Sequence, residues 1–537
     1  MIASEKGVTM IKTVKMLKNE HWWGGAIDVA QTMPFDENTQ TIVKLNGERT
    51  FAQCTSLFVS DKGRYIWSDK GYVATFDNGT IKLDGEGDFI LDKKGSSLRE
   101  AFVNAKKNHF PFEGNIHTER DFYMLPQFNT WMELIKDQTE ENILAYAEGL
   151  VANGYNRGIL IIDDGWQAAH GVWRFHPAKF KDPKGMVKKL HQLGFKVMLW
   201  VSPWLCPDSD EFLSISTVRG EYYNLDQLLR LKDGTPAIFN WWNGYSAMLD
   251  MTKELDRKFM GDQLDILTNE YGVDGFKFDG GDYVWKPINA QDKNAPDLYG
   301  KSSTGIGNKT IEELNDAWIR FGLKYPFHEF KNTWNVGHLP VIQRLCDKSH
   351  KWGKQMNCFG SLIPEGLFIG LIGNPFVCPD MVGGGSWTAF VYGDVDEELF
   401  VRMAECSALF PMMQFSAAPW KKLSKPYADI CLKMAKLHEE MYDYILEAVE
   451  YSEKTGEPIL KSLEYNYPHN GYAYIDDQFM LGDKVLVAPV VKKGQTKREI
   501  VFPEGKWIDK TDGKIYSKGK FVVDSPIEKL PYFIKID

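Results

Sequence analysis

Cysteine is scarce. There are seven in 537 residues and no Cys-x-x-Cys pair, so neither a disulfide framework nor a cysteine metal site is legible. An odd number of thiols in a chain this long is expected of a reduced, cytoplasmic protein. Long hydrophobic runs are missing too. The longest nearly uncharged one, 366–378, contains Pro375 and is too short for a bilayer, so no membrane span is expected. The first residues, MIASEKGVTMIKTVKMLKNEHWW, hold no apolar core before a small-residue cleavage site, and no secretory leader is expected. Positive charge is not in excess, with 63 Lys and Arg against 73 Asp and Glu, which argues against a nucleic-acid partner. Histidine is sparse (11), and HExxH, GxSxG and P-loop motifs are absent, so no metal, cofactor or serine-hydrolase chemistry is read.

What the chain does have is aromatic residues: 13%, including 17 Trp, many beside Gly, Asp and Pro rather than in periodic runs. Flat apolar rings next to hydrogen-bonding groups suit a small carbohydrate, which has C–H faces and a hydroxyl rim.

The hydrophobic period changes twice along the chain. From Thr41 to Leu91 short alternating segments are broken by Asn46-Gly47, Asp61-Lys62-Gly63, Asp69-Lys70-Gly71 and Asp77-Asn78-Gly79, which predicts an antiparallel β-sandwich over 1–118. Residues 119–452 then carry eight apolar strand-like runs: 122–128, 158–162, 195–201, 273–278, 326–330, 341–346, 375–378 and 412–415. Helical stretches over 140–153, 184–193, 255–271, 362–372, 397–409 and 427–451 alternate with several of them. This is the α/β pattern of a (β/α)8 TIM barrel, with an insertion at 204–253 and a gap between the fifth and sixth runs too short for a helix. Strand-like segments return over 453–537, which predicts a second small all-β domain of β-sandwich type. A homo-oligomer is left open.

Barrels of this kind place reactive groups at the C-terminal ends of their strands. Those ends carry Asn129 and Trp131; Asp163, Asp164 and Trp166; Trp200, Ser202 and Trp204; Lys277, Asp279 and Asp282; Lys331 and Trp334; Asp347; Asp380; and Gln414, Ser416 and Trp420. Six carboxylates with many Trp form the composition of a sugar site that works by carboxylate chemistry. Lys277 and Asp279 are two apart and face the same side of a strand, so the cation would hold the carboxylate ionised, as a nucleophile requires. The bland alternative is an Asp capping the Gly280-Gly281 turn. Asp163 could accept sugar hydroxyls and Trp166 could offer a stacking face. Asp347 has Arg344, Lys348 and His350 close in sequence, cations that oppose the raised pKa of a general acid, whereas burial beside Trp352 would favour it.

At this point a resemblance is carried by GVDGFKFDGGD (272–282), SAMLDMT (246–252), IGNPFVCPDMVGGG (372–385), EELFVRMAECSALFP (397–411) and the C-terminal DDQFMLGDKVLVAPVVKKGQTKREIVFPEGKW. These resemble glycoside hydrolase family 31 from about Lys18 onward. HWWGGA (21–26), CPDMVGG and PMMQFSAAPW resemble the branch of the myogenesis-regulating glycosidase and its bacterial relatives. The resemblance implies a retaining, exo-acting α-glycosidase of the α-galactosidase kind, with Asp279 as nucleophile and Asp347 as acid/base. It implies that Asp163 and Lys277 bind ring hydroxyls, and that Asp164, Asp380, Trp166, Trp200, Trp352, Trp131, Asp282 and Lys331 shape or line the pocket. Lys331 stands where the family usually has an Arg, and Gln414-Phe415-Ser416 lacks the Arg and His that recognise glucose-type sugars. An α-glucosidase, a sulfoquinovosidase, a family 36 galactosidase and a non-catalytic sugar binder are the alternatives. The Cys-x-x-Gly-x-x-Arg segment of family 36 is not reproduced at Cys358.

Overall fold

The structure is a computed structural model that describes residues 10–46, 52–113, 117–216, 227–231, 234–281, 287–288, 309, 311–393 and 395–537. Its centre is a sheet of eight parallel strands: β1 (Gln127–Asn129), β2 (Ile159–Ile162), β3 (Lys196–Val201), β4 (Gly275–Phe278), β5 (Phe327–Phe330), β6 (Gln343–Arg344), β7 (Val377–Cys378) and β8 (Gln414–Phe415). Their spatial order is β7-β6-β5-β4-β3-β2-β1-β8. A parallel bridge between Val382 and Phe415, with Val382 N donating to Gln414 O at 2.8 Å, draws the two ends together. The eight runs read from sequence supply these strands in the same order, although β6, β7 and β8 are only two residues long.

Strands β2 and β3 read Ile-Leu-Ile-Ile and Lys-Val-Met-Leu-Trp-Val, and all but Lys196 are buried. Such near-continuous apolar runs are what a parallel strand covered by helices needs. The covering helices have legible ends. Pro183–Leu193 starts at Asp182, whose side chain accepts Gly185 N, carries Pro183 in its first turn, and stops at Gly194 in left-handed conformation (φ 101°). It buries Met186, Val187 and Leu190.

Several expectations are corrected. Two helices lie outside the expected set: Ile311–Gly322, and Leu98–His109, which lies within the expected sandwich and opens on a Ser97/Glu100 capping box. The run 122–128 holds a turn of helix, Asp121–Met124, before β1. The long helix expected over 427–451 is two, Lys425–Glu440 and Tyr442–Thr455, broken at Met441. The insertion holds a three-stranded antiparallel sheet of Trp204–Leu205, Phe239–Trp241 and Gly244–Met248.

N-terminal to the barrel, two antiparallel sheets are built mainly from 10–93. One takes a strand from the barrel itself: Thr333–Trp334, in the helix-free gap between β5 and β6, pairs in parallel with Gln53 and Cys54. The C-terminal part is hydrogen-bonded as one six-stranded antiparallel sheet. The strand Lys497–Asp509 lies between Ile515–Asp524, paired across a register shift between Phe502 and Lys506, and Tyr532–Lys535. Among the described residues no helix is long and apolar enough to cross a membrane.

Candidate active site

Asp279 follows β4 directly and is 6% exposed. Trp200 Nε1 on β3 donates to its Oδ2 at 3.0 Å, and Gly280 N donates to Oδ1 at 2.8 Å. Gly280 has φ +67°, and a Cβ there would sit 2.8 Å from Trp204 Nε1, so only glycine turns the chain this tightly beneath the carboxylate. Burial opposes the charge on Asp279. The ammonium groups of Lys331 and Lys277 and the Trp200 hydrogen bond outweigh it and hold the carboxyl below its ordinary range. A buried carboxylate kept ionised at a strand end is chemically a nucleophile or a cation-stabilising group.

Below it, Lys277 Nζ donates to Asp163 Oδ2 at 2.7 Å, and Asn129 Nδ2 donates to the same oxygen at 2.8 Å. Asp163 Oδ1 accepts Asp164 N at 2.8 Å. In register, Lys277 on β4 lies beside Glu329 on β5. Strand alternation turns both inward, and Gln414 Nε2 on β8 donates to Glu329 Oε2 at 2.8 Å. The barrel interior under the site is therefore a polar layer, and burial pushes the Glu329 carboxyl up.

Across the mouth, Asp347 follows β6 on irregular chain. Its side chain is 41% exposed, yet Lys331 Nζ contacts Oδ2 at 2.7 Å and Arg344 Nη1 contacts Oδ1 at 2.9 Å. Lys331 also acts electrostatically on Asp279, as does Asp347, so one ammonium group links the two carboxylates. Burial works to raise Asp347, but Lys331 and Arg344 prevail and hold it well below the usual carboxylate range. The expectation of a raised pKa is thus corrected for the protein without a sugar. Arg344 does what its proximity in sequence suggested. Lys348 does not, because its Nζ is spent on buried Glu365 at 2.6 Å.

Other expected pocket residues are placed elsewhere. Trp166 is fully buried, donating to Trp200 O at 2.8 Å and packing edge-on against Phe175, so it offers no stacking face. Trp352 turns onto Phe359 and donates to Asp396 Oδ2 at 2.9 Å, and it does not bury Asp347. Asp380 is also fully buried. It ties Arg344, Lys348 N and Gly385 N (2.7 Å) together, and so fixes the segments flanking Asp347 rather than facing a ligand. Asp164 is held ionised against burial by His170 and Lys136 and accepts Asn243 Nδ2 at 2.9 Å, a rim cluster fastening the insertion. Trp131 is part-buried, with its Nε1 3.3 Å from Gly385 O. Asp282 lies outside the described residues.

Four further residues belong to the site. Glu329 lies two before Lys331, so strand alternation alone places it inward. In sequence, Arg344 reads only as a cation that opposes a raised pKa at Asp347. Trp242, at the tip of the insertion hairpin, is 48% exposed and its ring centre is 5.9 Å from Lys331 Nζ. Gly385 approaches Asp347 so closely that a Cβ would lie 2.7 Å from Oδ1.

This arrangement of carboxylates around a barrel mouth has relatives. Residues 123–336 match the glycosyl hydrolases family 31 TIM-barrel domain, and 456–537 match the glycosyl hydrolase family 31 C-terminal domain. The chain is 30% identical over 420 residues to the myogenesis-regulating glycosidase of Mus musculus, covering 77% of this chain and 55% of that protein. It is 24% identical over 431 residues to alpha-glucosidase 2 of Bacillus thermoamyloliquefaciens, covering 74% and 51%. The chain thus spans about half the length of these relatives. The structure of the Flavobacterium johnsoniae GH31 dextranase complexed with glucose superposes with a TM-score of 0.82 at 19% identity, over 99% of this chain and 68% of that one. Two domain matches that follow each other in family order, on a barrel with a carboxylate-lined mouth, settle its place: the chain belongs to glycoside hydrolase family 31.

Proposed function

We propose that the protein is a retaining α-glycosidase that releases terminal α-linked sugars, galactose foremost, through a covalent glycosyl-enzyme. The observation that carries this reading is the pairing of Asp279 and Asp347 through Lys331. Asp279 supplies a fixed, ionised oxygen, and Asp347, its side chain 41% exposed, shares the Lys331 ammonium group with it. In the first step an Asp279 oxygen bonds to C1 while the bond from C1 to the leaving oxygen breaks, and Asp347 gives that oxygen its proton. Water then attacks C1, Asp347 takes the water's proton, and the Asp279 carboxylate leaves. Double displacement needs the carboxyl groups about 5–5.5 Å apart.

Asp347 must first acquire its proton. Sugar hydroxyls are acceptors for Lys331 Nζ, and as Lys331 turns to them Asp347 loses one of its two counter-charges while keeping the repulsion of Asp279. That loss, against a repulsion that stays, favours protonation. The galactose assignment rests on the family branch, whose member above is named a glycosidase, and on Gln414 and Ser416. Both are fully buried and already engaged, Gln414 with Glu329 and Ser416 Oγ with Met132 N at 2.6 Å, so this wall presents no Arg or His to a glucose-type sugar.

Nitrophenol release from α-galactoside, α-glucoside, α-xyloside and α-sulfoquinovoside tests the sugar, and NMR of the first-formed anomer tests the stereochemistry. The expected result is α-galactoside turnover with α-galactose appearing first. A β-anomer first would overturn the double displacement. Preference for another glycoside would overturn the galactose assignment and leave the mechanism standing. Binding of every sugar without turnover would favour the non-catalytic alternative.

A further inference from the structure

Strand β6 hands the chain to Asp347 with little backbone support. Its last sheet bond runs from Leu345 N to Cys378 O at 3.0 Å, and Asp347 stands two residues further on, where no strand continues. A charged side chain turned inward holds this stretch instead. Lys348 is fully buried, and its Nζ donates back to Cys346 O at 3.1 Å and across to Glu365 Oε2 at 2.6 Å. One ammonium group thus ties down both neighbours of Asp347.

Glu365 is the only polar side chain of the helix Leu362–Leu371, which reads Leu-Ile-Pro-Glu-Gly-Leu-Phe-Ile-Gly-Leu and is buried throughout. The helix is packed without slack. A Cβ on Gly366 would lie 2.8 Å from the Phe410 ring, and one on Gly370 would lie 2.7 Å from Pro458 Cβ. A lysine–carboxylate pair in such surroundings adds little stability, because taking both charges out of water offsets their attraction. Apolar replacements of similar volume are often neutral or stabilising. Stability therefore gives no reason for this pair, whereas its hold on both sides of Asp347 does. We propose that Lys348 and Glu365 are positioning residues, which anchor the Asp347 segment to the core helix so that its carboxyl can pass a proton to the leaving oxygen. Proton transfer needs the donor within hydrogen-bond reach of that oxygen, and a small displacement is costly. Asp380 holds the same segment through Lys348 N and Gly385 N, so removing the pair loosens the segment without releasing it. This rests on the glycosidase reading above.

The test replaces the pair by apolar groups, Lys348→Met with Glu365→Leu, and uses Glu365→Gln as the conservative variant. Three quantities are read: Tm, hydrogen exchange of the peptide spanning 345–350, and kcat/KM on methyl and nitrophenyl α-glycosides of the sugar the wild-type protein prefers. The double variant is expected to keep or raise its Tm and to exchange faster at 345–350. Its kcat/KM is expected to fall about tenfold or more on the methyl glycoside, whose leaving oxygen needs a proton, and by less than about threefold on the nitrophenyl glycoside. Glu365→Gln should shift the ratio of the two in the same direction by less, and it decides the matter if the double variant does not fold. Unchanged exchange at 345–350 overturns the proposal. So do equal losses on the two glycosides, or a lower Tm with their ratio unchanged, since the pair would then be a structural tie alone. Faster exchange in the variant, with no glycoside turned over by the wild-type protein, would sink the glycosidase reading and leave the anchoring of the segment standing.

Discussion

The two sides of the barrel mouth are built by different means. Asp279 sits at the end of a regular buried strand, with both oxygens bonded by neighbours that cannot leave, an indole N–H and a backbone N–H. Asp347 sits on irregular chain beyond a two-residue strand, and it is held by the long side chains of Lys331 and Arg344. The Asp279 side is thus held by the barrel itself, whereas the charge on the Asp347 side depends on two cationic side chains, of which Arg344 is buried and also paired with Asp380. Chemistry that needs one carboxylate always ionised and the other alternately protonated calls for that asymmetry.

The comparison breaks most sharply at Asp279. Replacing it with Asn is expected to lower kcat by roughly a thousandfold or more, with the circular dichroism of the folded chain retained. Residual activity within tenfold of wild type would remove Asp279 from the nucleophile role. Asp347→Asn is expected to cost about 10²–10⁴-fold on alkyl glycosides, whose leaving oxygen needs a proton, and clearly less in glycosylation of activated nitrophenyl glycosides. Equal losses on both classes would count against proton donation.

Lys331→Met sharpens the difference through pH. Lys331 lowers both carboxyl groups, so its removal raises both. The two limbs of kcat/KM are set by these two carboxyl groups, so both should move to higher pH. With Asp347 held low in the free protein, wild-type kcat/KM should itself be greatest on the acid side of neutrality. A variant profile that stays in place would detach Lys331 from both groups. The smallest effect is expected at Trp242→Ala, a three- to tenfold rise in KM from the loss of one aromatic face, with kcat nearly constant. An unchanged KM would place Trp242 outside the substrate path.

The same contrast governs what the sequence could disclose. Regular, buried architecture is legible. Runs such as Ile-Leu-Ile-Ile announce strands, and the two-residue spacing of Lys277 and Asp279 puts both on one face. Local amphipathic pattern would also have served for 311–322, where Leu314, Trp318, Ile319 and Phe321 are buried. The break at Met441 has no Gly or Pro to announce it. Long-range partners are not legible either. Trp166 and Asp380 occupy strand ends as the pattern expects, yet tertiary contacts take the first into the core and the second beneath the Asp347 segment. Arg344 and Lys348 are equally close to Asp347 in sequence, and only the presence of Glu365 on another helix decides that Lys348 is spent elsewhere.

The most direct test of a covalent intermediate on Asp279 is mass spectrometry of the protein after incubation with 5-fluoro-α-D-galactosyl fluoride, a substrate whose glycosyl-enzyme hydrolyses slowly. One glycosyl adduct per chain, mapped to the peptide containing Asp279 and absent from Asp279→Asn, is the expected result. An adduct on a different carboxylate, or hydrolysis of this reagent with inversion and no adduct at all, would contradict it.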